Sequence, residues 1–175
     1  VSRPELPSVA EIDELAPVHR QVAGPEWEDG NGHVNVRHFY DLHCAGAEIG
    51  LTRIGLGDEY RQQSRCGVFS VEQHLRFLSE VRIGEEVSVH VRWLGRGAKV
   101  FHAVSVVVNR STGRVANTLE LLEAHVDLTT RRAAPFPADL AGVIDAEVAE
   151  HARLGWQLPL TGHMGVRRPA DQPAG

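Results

Sequence analysis

Trp27-Glu28-Asp29-Gly30-Asn31-Gly32-His33-Val34-Asn35 runs directly into Val36-Arg37-His38-Phe39-Tyr40-Asp41-Leu42 and on to Leu56. The first nine residues set a carboxylate, an amide and an imidazole around two glycines, which permit a tight turn with backbone angles that other residues avoid. Asn35 suits the N-cap of a following helix, because its side-chain oxygen can accept from an amide two or three residues on. Val36, Phe39, Tyr40, Cys44, Ala45, Ala47, Ile49, Leu51 and Ile54 make that helix apolar enough to predict burial on most sides. Gly55 and Gly57 mark its end. Amides at a helix N-terminus point outward and carry partial positive charge, so a polar loop here suits chemistry on a carbonyl whose oxygen becomes an anion.

Beyond the helix, Asp58 to Arg65 reads as a short polar helix or loop, and at Cys66 the hydrophobic period changes to two. Phe69, Val71, Leu75 and Phe77 alternate with Ser70, Glu72, His74 and Arg76, predicting one apolar and one polar face. Val87 to Trp93, Val100 to Val108 and Val115 to Leu128 follow as long strands, joined by turns at Gly95-Arg96-Gly97 and Ser111-Thr112-Gly113. Before the loop, Pro17 to Ala23 is a candidate first strand, ended by Gly24-Pro25. One helix followed by an antiparallel meander predicts an α+β domain.

The flanks read differently. Residues 1–16 are polar and predict a poorly ordered arm, or one that packs on a neighbour. Asp139 to Leu154 has helical spacing, and the Pro- and Gly-containing last twenty residues read as a tail. The expected division is therefore an arm at 1–16, a domain at 17–137, and a C-terminal helix and tail at 138–175.

Composition narrows the function. A net charge of −5 argues against nucleic acid as a partner, since phosphate neutralisation needs clustered Lys and Arg. No apolar run approaches the roughly 20 residues that cross a bilayer, which predicts no membrane partner. Cys44 and Cys66 make no disulfide framework, so a reduced, cytoplasmic setting is expected. His33, His38 and His43 are spaced by five, not by the three or four that align ligands on one helix face, and no metal is expected.

Asp29-x-Asn31-x-His33-Val34-Asn35, with Tyr40 five residues on, resembles the signature loop and central helix of hot-dog fold thioesterases. The Trp-x-Asp-x-Asn-Gly-His pattern is similar to the 4-hydroxybenzoyl-CoA thioesterase-like branch, which includes betainyl-CoA thioesterases. The resemblance covers about residues 17 to 137. It implies a hot-dog fold, an antiparallel sheet wrapped around a central helix, paired as a homodimer or a dimer of dimers with active sites between subunits. It implies an acyl-CoA thioesterase with Asp29 as nucleophile or general base, Asn31 and His33 positioning, and amides near Val34 to Arg37 as oxyanion donors. Glu72 matches a strand glutamate to which related enzymes give a catalytic part. Trp27, Val34, Asn35, Phe39, Tyr40 and Thr118 are expected to bind substrate, with Glu120 beside Thr118. Arg96 and Lys99, on a Gly-containing hairpin, are candidate contacts for coenzyme A phosphates. No cofactor is expected beyond coenzyme A as part of substrate and product.

Two rivals stand beside this reading. Hot-dog enoyl-CoA hydratases also use an Asp/His pair, but in Asp-x-Asn-Pro-x-His, with His five residues after Asp. Here His33 follows Asp29 by four, and Gly32 stands where that proline would be. The other rival is a non-catalytic acyl-CoA binding module, which would not need the Asp29/Asn31/His33 set.

Overall fold

The computed structural model describes residues 5–166. In chain order it contains α1 (Val9–Ile12), β1 (His19–Val22), a 3-10 turn (Pro25–Trp27), α2 (Val36–Arg53), α3 (Asp58–Ser64), β2 (Cys66–Phe77), β3 (Glu86–Arg96), β4 (Val100–Asn109), β5 (Arg114–Asp127), β6 (Arg132–Ala133) and α4 (Ala138–His151). The strands form one antiparallel sheet in the order β1-β3-β4-β5-β2, with β6 added beside β5. β3, β4 and β5 are the expected meander. β2, first of the long strands in sequence, pairs with β5 and so forms the far edge.

The sheet wraps around α2, which lies against β1, β3 and β4. Phe39, Leu42, His43, Gly46 and Gly50 recur at three and four residues and form the buried stripe. Burial on most sides is not what the helix shows: Val36 is 58% exposed, and Tyr40 and Cys44 are also exposed. The reason is the close seat of the helix on the sheet. A Cβ at Gly46 would stand 2.6 Å from Val89 Cγ1, so the helix is fixed by one face and its opposite face is left free.

Strand parity divides the sheet into an inner face, towards α2, and an outer one. Val91, Trp93, Phe101, Ala103, Leu119 and Leu121 point inward with Ile54, and Leu140 and Ile144 of α4 close the same core. The helix assigned beyond residue 137 thus contributes to the core of the domain. Val104, Val106, Val108 and Val115 point outward, where Ile12, Leu15, Trp156 and Leu158 cover them. Neither the arm nor the first part of the tail is therefore loose; residues 167–175 of the expected tail lie outside the described residues. Polar bonds fasten both segments. His90 Nδ1 meets the Leu15 carbonyl at 2.7 Å, and the buried Arg92 guanidinium donates to the carbonyls of His151 and Trp156. Burying the Trp156 ring alone contributes roughly 2–3 kcal/mol.

The simple alternation expected of β2 fails at one point. A bulge between Ser70 and Glu72 inserts Val71 and reverses the parity that precedes it. Ser70 consequently faces inward opposite Glu123, as Gln73, Leu75 and Phe77 do further along, while Glu72, His74 and Arg76 face outward.

Candidate active site

Asp29 closes a small loop. Its backbone amide donates to the His33 carbonyl at 2.9 Å, and its carbonyl accepts from the Gly32 amide at 3.1 Å. Gly32 makes that turn at φ +78°, a conformation that costs other residues a steric penalty. Glu28 and Val34 then bridge as antiparallel neighbours, and Val34 and Asn35 donate to the carbonyls of Val81 and Trp27. The loop is thereby anchored to the body of the domain on both sides. Asn35 caps α2, accepting from the Arg37 amide at 3.1 Å.

The carboxylate itself is surrounded by donors. Asp29 Oδ1 accepts from the Asn31 amide at 2.8 Å, Oδ2 from Asn31 Nδ2 at 3.3 Å, and His33 Nδ1 stands 3.4 Å from Oδ1. The backbone bond from Asn31 is the main cause that holds its pKa below the ordinary carboxylate value, with the Asn31 side chain and His33 adding to it against partial burial. Asp29 is therefore anionic at neutral pH. Asp29, Asn31 and His33 are brought together as expected.

The oxyanion donors are fewer than the sequence implies. Of the amides from Val34 to Arg37, those of Val34, Asn35 and Arg37 already have acceptors. Among the described residues only the Val36 amide in this set has no hydrogen-bond acceptor.

Other expected residues lie elsewhere. Trp27 and Val34 are core residues, Trp27 stacked on His38 with centroids 4.9 Å apart. Phe39 is buried edge-on to Phe77 at 5.7 Å, close to the start of the helix, and Tyr40 is exposed beside Gln73 and Cys44. Glu72 and Thr118 face the outer side of the sheet, so the protomer does not bring them to Asp29. Glu72 stands 3.6 Å from His163, and Glu120 is buried outside, bonded to His102 at 3.0 Å and to the Thr161 amide at 2.7 Å. Arg96 is paired with Asp145 of α4, and Lys99 is exposed at the hairpin tip. Val87, in the core beside Trp27, and Arg96 are nine residues apart on β3, so hairpin and loop lie at opposite ends of the sheet, about 30 Å apart.

The inner face also holds a group not anticipated. Glu123 lines a cavity of about 620 Å³ between α2, α3 and the sheet, together with Cys44, Ser70, Trp93, Phe101 and Leu121. Its Oε1 accepts from Ser70 Oγ at 2.9 Å and Gln73 Nε2 at 3.5 Å. Burial pushes this carboxyl's pKa above the ordinary range, against those two donors. A signal for it was present: Leu119, Leu121 and Glu123 share one strand parity, placing an acid in an apolar series. Between the two carboxylates His43 is fully buried, its ring nitrogens 2.8 Å from Ser105 Oγ and 2.6 Å from Asn117 Oδ1.

Residues 23–144 match the model of the thioesterase-like superfamily. The chain belongs to that superfamily. It is 30% identical over 130 residues to a betainyl-CoA thioesterase of Pseudomonas aeruginosa, covering 74% of this chain and 82% of that one. An L-carnitine dehydrogenase/betainyl-CoA thioesterase of Rhizobium meliloti is 25% identical over 142 residues, 81% of this chain but 28% of that longer protein. A Staphylococcus aureus protein solved in complex with CoA superposes with a TM-score of 0.76 at 20% identity, over 86% of this chain and 94% of that one, and shares the fold. The superfamily member described here is a thioester hydrolase with the expected hot-dog fold. Among the described residues no cluster of His, Cys, Asp and Glu is arranged to hold a metal, and no helix is long and apolar enough to cross a membrane.

Proposed function

We propose that this superfamily member hydrolyses acyl-CoA thioesters with Asp29 as the nucleophile. The observation that carries the assignment is the donor shell of Asp29, in the loop that leads into α2, which favours the ionised carboxylate. An ionised carboxylate in the loop that leads into the helix can attack a carbonyl carbon directly and form a mixed anhydride. An Asp29 oxygen bonds to the thioester carbon, and the carbonyl oxygen becomes an anion against the Val36 amide and the positive end of the helix. Collapse breaks the C–S bond and releases the coenzyme A thiolate, which takes a proton from solvent. Water then cleaves the mixed anhydride, giving the free acid and restoring Asp29. Asn31 and His33 position the carboxylate. The betainyl group named in the relatives is the first acyl group to test.

The protein acts as a two-fold dimer joined through β2 and the free face of α2. β2 is a long edge strand with its outer hydrogen-bonding side open, and edges of this kind pair unless blocked. Phe77 (53% exposed) on the inner face of the strand, with Val36 and Tyr40 on the helix, forms an exposed apolar strip along it. A second copy covers that strip.

The test is thiol release from short, long, aromatic and betainyl CoA thioesters, with wild type and Asp29→Asn side by side. Turnover on at least one substrate, with kcat/KM reduced on the order of 10³-fold or more in the variant, is expected. Equal rates for the two proteins would remove Asp29 from the chemistry. Binding of the esters with no thiol release would leave the non-catalytic module.

A further inference from the structure

The cavity beside Glu123 has a volume within the range of ligand pockets, and its walls are mainly apolar. Its charges are mostly negative. Glu48, Asp58, Glu59 and Glu123 line it against a single cation, Arg61, which is itself paired with Asp58. Such a lining repels the phosphates of coenzyme A, so the cavity suits the other half of a thioester substrate. Glu123 and Phe101 are register partners on β5 and β4, with Cβ atoms about 5 Å apart on the inner face. Trp93 stands edge-on to Phe101 at 5.1 Å. Ser70 and Gln73 both bond to Oε1, and among the described residues Oε2 has no hydrogen-bond partner. A carboxylate oxygen without a donor, next to aromatic rings in an apolar cavity, is an arrangement that recognises an ammonium group.

We propose that this cavity is the acyl-group site, that it takes an acyl group bearing a quaternary or primary ammonium, and that Glu123 is the residue that selects for the positive charge. The proposal rests on the thioesterase reading above and gives its substrate class. It also makes a geometric demand. Cys44, at the cavity, follows Val36, at the start of α2, by eight residues, or about 12 Å along the helix. A short acyl group cannot reach both Asp29 and Glu123 of one protomer. Phe39 meets Phe77 near the start of α2, whereas Cys44 lies by Ser70, so α2 and β2 run in opposite directions. A two-fold axis across β2 therefore sets the Asp29 end of one protomer against the cavity end of the other. The acyl site is complete only in the pair.

The test compares betainyl-CoA with 3,3-dimethylbutanoyl-CoA, a neutral analogue of similar bulk that lacks the charge. Wild type should prefer the cation, and Glu123→Gln should lose on the order of 10²-fold in kcat/KM on betainyl-CoA, mostly through KM, while changing by less than about 3-fold on the neutral ester. Equal loss on both esters, or a wild type indifferent to the charge, overturns the proposal and leaves the hydrolase reading intact. Tetramethylammonium, titrated calorimetrically into both proteins, is the readout that does not need turnover. Binding weakened at least about 10-fold by Glu123→Gln supports the site even if no ester is hydrolysed, a result that would remove only the hydrolase reading. Binding equal in both proteins removes the site. Competitive inhibition of wild type by tetramethylammonium, with none by neutral tert-butyl alcohol, supports the same site without a variant, and its absence counts against the site.

Discussion

Asp29 and Glu123 are both carboxylates on the helix side of the sheet, yet their surroundings drive them in opposite directions. Asp29 sits in a turn whose backbone and side-chain donors converge on it, and its pKa falls. Glu123 sits in an apolar wall with two donors on one oxygen, and burial prevails, so its pKa rises. On the proposed reading, the difference separates reaction from recognition. A carboxylate whose charge is stabilised by its own loop is always ready to attack. One whose charge is only partly compensated gains most when a ligand brings the missing cation.

The largest expected effect follows directly. Asp29→Asn should depress every thioester alike, whereas Glu123→Gln should depress only the cationic ones; a charge-selective loss at Asp29 would merge the two roles. A sharper version uses both variants together. At betainyl-CoA concentrations well below KM, each alone should be nearly inactive. Dissociated, mixed in equal amounts and reassociated, they form heterodimers in half of the cases, each with one intact and one doubly altered site. About a quarter of wild-type activity should return. No recovery would place both carboxylates of a site in one protomer and break the two-fold arrangement.

His43, between the two ends, carries the next effect. Burial lowers its pKa to about 4, against the Asn117 bond, so the native state holds it neutral. Unfolded, it titrates near 6.5, and between those values the unfolded chain binds the extra proton. The stability from the neutral buried ring is thus complete above pH 6.5 and is lost as pH falls towards 4, by roughly 3 kcal/mol. Urea unfolding of wild type should weaken by that increment more than unfolding of His43→Gln over the same range. His90 and His151, whose pKa values burial also lowers, are common to both proteins and cancel. Parallel pH curves would mean that His43 is solvated.

The loop and α2 were legible in the sequence because their causes are local: a capping Asn35, glycines in a turn, and a change from polar to apolar residues. The strands were legible by their period. What escaped required partners far apart in the chain. The bulge at Val71 changes the face of Ser70, and no local signal marks it, since Phe69-Ser70-Val71-Glu72 alternates without a break. Ile12, Trp156 and Leu158 looked like isolated apolar residues in polar arms, because the outer face they cover is assembled from β3, β4 and β5. Glu123 was readable by parity with Leu119 and Leu121, but one acid in an apolar series is a fainter signal than three polar groups around the glycines at Asp29.

The smallest effect tests the two faces of the sheet against each other. Glu72 was expected to be catalytic from its match to a strand glutamate of related enzymes, whereas it faces outward, where its partner is His163. Its contacts are on the surface, and an exposed pair of this kind contributes about 0–1 kcal/mol. Glu72→Gln should therefore leave kcat/KM within about 2-fold of wild type on every ester, cationic or neutral. A loss comparable to that of Asp29→Asn would mean that the outer face takes part in the chemistry, which within one protomer the sheet itself prevents. It would then require a second pairing of protomers, back to back, that brings one outer face to another loop. The pairing through β2 predicts no such contact, so this conservative substitution tests the dimer arrangement as directly as it tests the residue.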